Sequence, residues 1–190
     1  EDKESEFNAL IQKSYDFTLA IALPMTVGLI CCAPNLITSL CGVKFENSIL
    51  PSQIIAPIIL MVAISNVFGI QVLFPKGKIN IVTLCCGIGA VVDLVLNLCL
   101  IPFFSYVGTS IAYLGAEVAT TISMFFIGRK YLPITYFKKN HLNYLLGCIL
   151  MAIVLYAIAD LQFSTISILI LQGCSGIVVY FLVLCVRKDI

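Results

Sequence analysis

The sequence predicts an all-α, polytopic membrane bundle of six transmembrane helices, and three observations predict it. Of the 190 residues, 61% are hydrophobic and only 11% charged, and the mean hydropathy is +1.08. Soluble domains are about half apolar and one quarter charged. Residues 17–43 and 47–75 carry no charge at all, and each stretch exceeds the ~20 residues a helix needs to cross about 30 Å of hydrocarbon. Between Lys78 and Arg129 the only charges are Asp93 and Glu117. As one straight helix that stretch would run about 75 Å, so it must fold back.

In chain order, residues 1–16 read as a cytoplasmic segment. Four acids fall in its first six residues, with neither an initiating Met nor the basic start of a signal peptide; the chain reads as an excerpt of a longer polypeptide. Span one covers about 17–40 and span two about 52–74. Pro24, Pro34 and Pro57 lie inside them and each removes a backbone donor, leaving a carbonyl for a neighbouring helix or water to satisfy. Such helices serve as bending points or as fixed kinks. Proline and glycine punctuate 102–108, which divides the third stretch into span three (79–101) and span four (107–127). Gly108 with Ala112 and Gly115 with Ala119 repeat at four-residue spacing and permit close helix packing. Spans five (142–159) and six (164–186), parted by Asp160 and Gln162, are apolar and otherwise undistinguished. The membrane domain is thus 17–186, followed by a cytoplasmic tail, 187–190.

Orientation follows from the basic residues, because short loops rich in Lys and Arg stay cytoplasmic. Lys3, Lys13, Lys76, Lys78, Arg129, Lys130, Lys138, Lys139, Arg187 and Lys188 fall on one side of the six-span arrangement, against Lys44 alone on the other. Both termini are therefore expected in the cytoplasm. A net charge of +1 excludes the basic surplus that binds nucleic acid. The nine cysteines lie in or beside apolar runs and read as small hydrophobes. With no CxxC and a single histidine, His141, neither a metal site nor a cofactor is expected. No nucleophile–histidine pair and no phosphate-binding glycine loop is visible, so an enzyme is disfavoured. Tyr131, Tyr136 and Tyr144 read as an interfacial aromatic belt, and His141 beside them as a solvated loop residue.

The polar groups inside the hydrocarbon stand out. Burying an acid at a helix centre costs about 2.5 kcal/mol or more, and such groups usually mark function. Gly89, Asp93 and Asn97 share one face of span three, and Tyr113, Glu117 and Thr121 one face of span four. If the spans pack as a hairpin, these stripes meet or line one aqueous cavity that could bind a proton or sodium ion. The plainer alternative is neutral, hydrogen-bonded packing. A second constellation, Gly69, Gln71, Pro75, Lys76, Gly77 and Lys78, ends span two. Its lysines and turn amides could hold a diphosphate, or the lysines simply set topology. The candidate substrate-binding or ion-coupling residues are therefore Glu117, Asp93, Asn97, Gln71, Lys76 and Lys78.

Several local patterns coincide in order. Leu23-Pro24 and Gly28 are followed by Gly42-Val43-Lys44-Phe45, an "LP, glycine, apolar helix, G-x-x-F" opening. Residues 69–78 read G-x-Q-x-L-x-P-x-G-K, residues 92–102 end in an N-x-x-L-I-P helix terminus, and Gly108 through Glu117 form a small-residue helix with a glutamate. Across about 23–117 the chain resembles the lipid-linked oligosaccharide (O-antigen and capsular polysaccharide) flippases of the multidrug, oligosaccharidyl-lipid and polysaccharide exporter superfamily. That family usually has asparagine where Asp93 stands.

The resemblance implies the C-terminal part of a two-lobed fold whose N-terminal helices are missing partners. It implies translocation of polyprenyl-diphosphate-linked oligosaccharide across the cell membrane for polysaccharide biosynthesis, by alternating access and coupled to a cation. The partners would be that lipid-linked substrate and the membrane lipids, with no nucleic acid. Two alternatives stay open: a drug or cation antiporter of the same superfamily, which a cavity of acids without bases would favour, and a non-transporting membrane scaffold, which a closed bundle would favour.

Overall fold

The structure is a computed structural model and describes residues 2–136, 138–159 and 165–187. The expected boundary between spans five and six at Asp160 and Gln162, and Lys188 of the tail, lie outside the described residues. Helix α1 (Asp2–Leu40) is a single 39-residue helix, so the expected cytoplasmic segment is helical from residue 2 and continues directly into span one. Nothing in 2–16 is a proline or glycine, and no residue there breaks the hydrogen-bond ladder.

Gly42, at φ 88°, ends that run and leads into a 3-10 turn, Val43–Ser48. Helix α2 (Ile49–Ile55) stops at Pro57, and α3 (Ile58–Asn66) follows and widens into a π-helical segment, Val67–Leu73. A tight turn at Gly77 (φ 67°) leads to α4 (Ile79–Gly128), then a 3-10 turn (Arg129–Tyr131), α5 (Lys139–Ala159) and α6 (Thr165–Arg187).

Among the described residues, five helices are long and apolar enough to cross a membrane: Lys3–Leu40, Val43–Leu73, Ile79–Tyr131, Asn140–Ala159 and Ile166–Arg187. Expected spans three and four fall within the third of these. Helical geometry resumes immediately on both sides of Ser105, whose φ of 49° and ψ of −126° depart from it. One residue, with Pro102 ahead of it, makes the reversal without a polar loop. Large side chains such as Phe17, Leu98, Phe103, Ile153 and Val186 remain exposed, as lipid-facing residues must in a chain of this composition.

The described residues form two compact units, one within Glu1–Leu19 and Ile58–Phe137, the other within Ala20–Pro57 and Lys138–Ile190. In the first, Tyr15 stacks on Phe68, and Tyr136 meets Tyr15, Phe68 and Phe125 edge-on, with ring centres 4.9 Å apart in the last pair. Tyr136 therefore belongs to an aromatic cluster.

In the second unit α5 packs along α6. Gly147 admits the Tyr180 ring, which a Cβ there would meet at 3.0 Å. Tyr144 is buried and tilts against His141, whose Nδ1 accepts the Lys138 amide at 3.3 Å. His141 is therefore not the solvated loop residue expected; it lies in the first turn of α5 and is buried. The prolines of α1 are fixed in this unit. Pro24 leaves the Ala20 carbonyl without its amide, and the Tyr180 hydroxyl donates to that oxygen at 2.7 Å. Pro34 does the same to Ile30, and Gln53 Nε2 donates there at 3.0 Å. Gln172, wholly buried, donates to the Leu155 carbonyl at 3.0 Å and accepts from Asn35 Nδ2 at 3.1 Å.

Candidate functional site

The reversal at Ser105 brings the two limbs of α4 side by side. Three glycines set the distance. A Cβ on Gly108 would meet the Leu100 carbonyl oxygen at 2.7 Å, and one on Gly115 the Leu96 side chain at 2.7 Å. A Cβ on Gly89 would run into Thr120 Oγ1. In a straight helix Asp93 and Glu117 would stand about 36 Å apart. Instead both line one pocket of about 470 Å³ in the first unit, walled by α3, the π segment and both limbs of α4.

Ser65, Asn66, Tyr113 and Thr120 are the other polar lining residues, and no Lys, Arg or His is among them. Both acids are half-buried, and among the described residues neither carboxylate accepts a hydrogen bond. Two carboxyl groups beside hydroxyl, amide and phenol oxygens form a hard oxygen-donor environment, the chemistry that suits a proton or a small cation.

Only part of the expected stripes reaches this pocket. Asn97 turns back along its own helix, its Nδ2 donating to the Asp93 carbonyl at 2.9 Å, while its Oδ1 is buried without a partner. Thr121 faces α3 and donates to the Met61 carbonyl at 3.2 Å, so the neighbouring Thr120 takes the place expected for it. Four-residue spacing identifies a face only to within about a quarter turn, and the limbs' closeness at Gly89 decides which threonine is inside. Ser65, Asn66 and Thr120 were not expected; as short neutral side chains in apolar runs they carry no mark that separates lining from packing.

The constellation at the end of span two is arranged differently from expectation. Gln71 is engaged, its Oε1 accepting from Ser14 Oγ at 2.6 Å. The turn amides are not free: those of Lys76, Gly77 and Lys78 donate to the carbonyls of Val72, Phe74 and Leu73. The lysine side chains remain, with Lys76 Nζ donating to the Tyr131 carbonyl at 3.0 Å and Lys78 Nζ 5.1 Å from the centre of the Tyr131 ring. Among the described residues no group of His, Cys, Asp and Glu is arranged to hold a metal through three such ligands.

No protein-family model and no curated protein matches the sequence. The architecture is similar to a solved structure, that of the lipid II flippase MurJ in its inward closed conformation, with a TM-score of 0.85 over 99% of this chain at 17% identity. The fold is MurJ-like. The chain spans 41% of the length of MurJ, less than half of it. With five apolar helices long enough to span and a MurJ-like fold, this is a multi-pass membrane protein.

Proposed function

We propose that this chain is the C-terminal part of a flippase that moves a polyprenyl-diphosphate-linked oligosaccharide across the cytoplasmic membrane, with both termini on the cytoplasmic side. Its partners are the lipid-linked substrate, the surrounding lipids and the N-terminal helices of the same transporter. The MurJ-like fold supports a lipid-linked cargo, and one observation carries the coupling role: the two intramembrane acids share a single pocket and, among the described residues, form no hydrogen bonds that would explain them as packing groups.

A cation, proton or sodium, enters that pocket and is held by Glu117 with Asp93. Because α3, the π segment and the two limbs of α4 all supply lining residues, occupancy favours whichever arrangement of these helices closes around the charge. Differential affinity of this kind is the form in which an ion gradient drives alternating access. The neutral variant Glu117→Gln in the complete protein is expected to lower glycan export at least tenfold, roughly the loss of one coupling interaction, while membrane abundance stays at the wild-type level. Unchanged export would remove Glu117 from the mechanism.

A second reading is favoured by one feature. The pocket holds acids and no base, the arrangement a drug or cation antiporter of the same superfamily would need for an amphipathic cation. Efflux of such a cation, with no movement of lipid-linked oligosaccharide, would decide for the antiporter.

A further inference from the structure

Three lysines gather on one aromatic residue at the end of the first unit, where the 76–78 turn meets the 3-10 turn Arg129–Tyr131. Lys78 Nζ and Lys130 Nζ each lie 5.1 Å from the centre of the Tyr131 ring. Lys76 Nζ bonds the carbonyl oxygen of the same residue and lies 5.8 Å from the centre of the Phe7 ring. Sharing one ring, the Lys78 and Lys130 ammonium groups lie no farther apart than about a Debye length, ~10 Å, where like charges repel, and Lys76 adds a third on the backbone of the same residue.

Such a cluster calls for an anion, and among the described residues no carboxylate supplies one. Among the described residues none of the three lysines pairs with a carboxylate, and Glu4 and Glu6, on the same helix as Phe7, pair with none of them. The cation–π contacts instead hold the lysine stems in place while most of their N–H donors stay unused. Tyrosine and lysine stems of this kind sit at the headgroup level of a bilayer, ring and methylenes in the apolar layer and polar ends in the wet one.

We propose that Lys76, Lys78 and Lys130, arranged around Tyr131, form a binding site for the phosphate group of a lipid. The tetrahedral oxygens of a phosphodiester or diphosphate accept from two or three ammonium groups at once, which a single carboxylate does less well. The phosphate belongs either to an anionic phospholipid of the bilayer or to the carrier lipid of the cargo. The site shares no residue with the Asp93–Glu117 pocket, so it stands whether or not that pocket couples transport.

The test titrates the complete protein in detergent with short-chain phosphatidylglycerol, with polyprenyl diphosphate and, as the neutral-headgroup control, with phosphatidylcholine. The variant K76Q/K78Q/K130Q is expected to bind at least one of the phosphate lipids about tenfold or more weakly. A charge-matched control, K3Q/K13Q/K44Q, is expected to bind like wild type, as is the charge-keeping variant K76R/K78R/K130R. Weakening toward phosphatidylglycerol assigns the site to a bilayer headgroup; weakening toward polyprenyl diphosphate alone assigns it to the carrier lipid. Equal binding of both lipids by wild type and K76Q/K78Q/K130Q overturns the proposal. So does an equal loss in the control variant, which would make the effect one of bulk charge, or in the arginine variant, which would make it one of folding.

Discussion

The two units treat buried polar groups in opposite ways. In the second, Gln172 has no exposed surface and both ends of its amide are used, and the hydroxyl of Tyr180 and the amide of Gln53 each cap a carbonyl that a proline has orphaned. In the first, Asp93 and Glu117 are half-buried, and they line a pocket in which no hydrogen-bond donor is turned to their carboxyl groups among the described residues. A polar group with both ends used adds stability. An acid left open in hydrocarbon lowers it and persists where occupancy of the site matters. The contrast predicts that substitutions in the second unit register as stability, and that those at the acids register as transport with stability unchanged or raised.

The largest stability effect among these tests is expected at Gly89, the glycine of the close-packed limbs of α4 that lines the pocket. Gly89→Ala puts a Cβ into Thr120 Oγ1 and within 3.2 Å of the Ala116 carbonyl oxygen, and the limbs of α4 must separate to admit it. Overpacking of this kind costs about 1–3 kcal/mol, measurable as a lowered midpoint in thermal unfolding of the complete protein. Adding Thr120→Ala should recover part of the loss. If Gly89→Ala unfolds at the wild-type temperature, the limbs are not in close contact and the pocket is wider than described. Glu117→Gln provides the opposing limb of the comparison: its thermal midpoint should not fall, because no hydrogen bond is lost.

A smaller loss is expected from Gln172→Leu in the second unit. The leucine fills the volume but leaves Asn35 Nδ2 without its acceptor and removes the second donor to the Leu155 carbonyl. About 1–2 kcal/mol is the expected cost, since polar bonds between membrane helices are individually modest. An unfolding midpoint equal to that of wild type would show that an apolar core suffices in this unit and would weaken the contrast with the acids.

Much of this was legible in the sequence where a residue carries an unmistakable physical signature. Charge in an apolar run marked Asp93 and Glu117, and the impossible length of a 79–128 helix demanded the reversal found at Ser105. The extent of α1 was hidden because its polar first turns look like a surface segment; helix continuity depends on the absence of breakers, not on hydropathy. Gln172, Tyr180 and Thr120 were hidden for a different reason. A neutral polar side chain in an apolar helix costs little enough to lie on any face, and only the packed partner reveals whether it caps a carbonyl, clamps a helix or lines a pocket. His141 read as a solvated loop residue because it stands among the tyrosines at the start of span five, yet it lies in α5 and is buried.

The finest test of the comparison lies at Pro24. Prolines in membrane helices are open to two readings, hinge or fixed kink, and the Tyr180 hydroxyl on the Ala20 carbonyl favours the second at this position. Tyr180→Phe keeps the ring packed on Gly147 and removes only that bond, at an expected cost of about 0.6–1.7 kcal/mol. In a Pro24→Ala background residue 24 regains an amide, which can donate to the Ala20 carbonyl along the helix. There the same Tyr180→Phe change should cost close to nothing. A double-mutant cycle in thermal unfolding therefore measures the coupling directly. If the cost is the same in both backgrounds, the tyrosine is not satisfying a proline-orphaned carbonyl, and α1 regains the freedom to bend there.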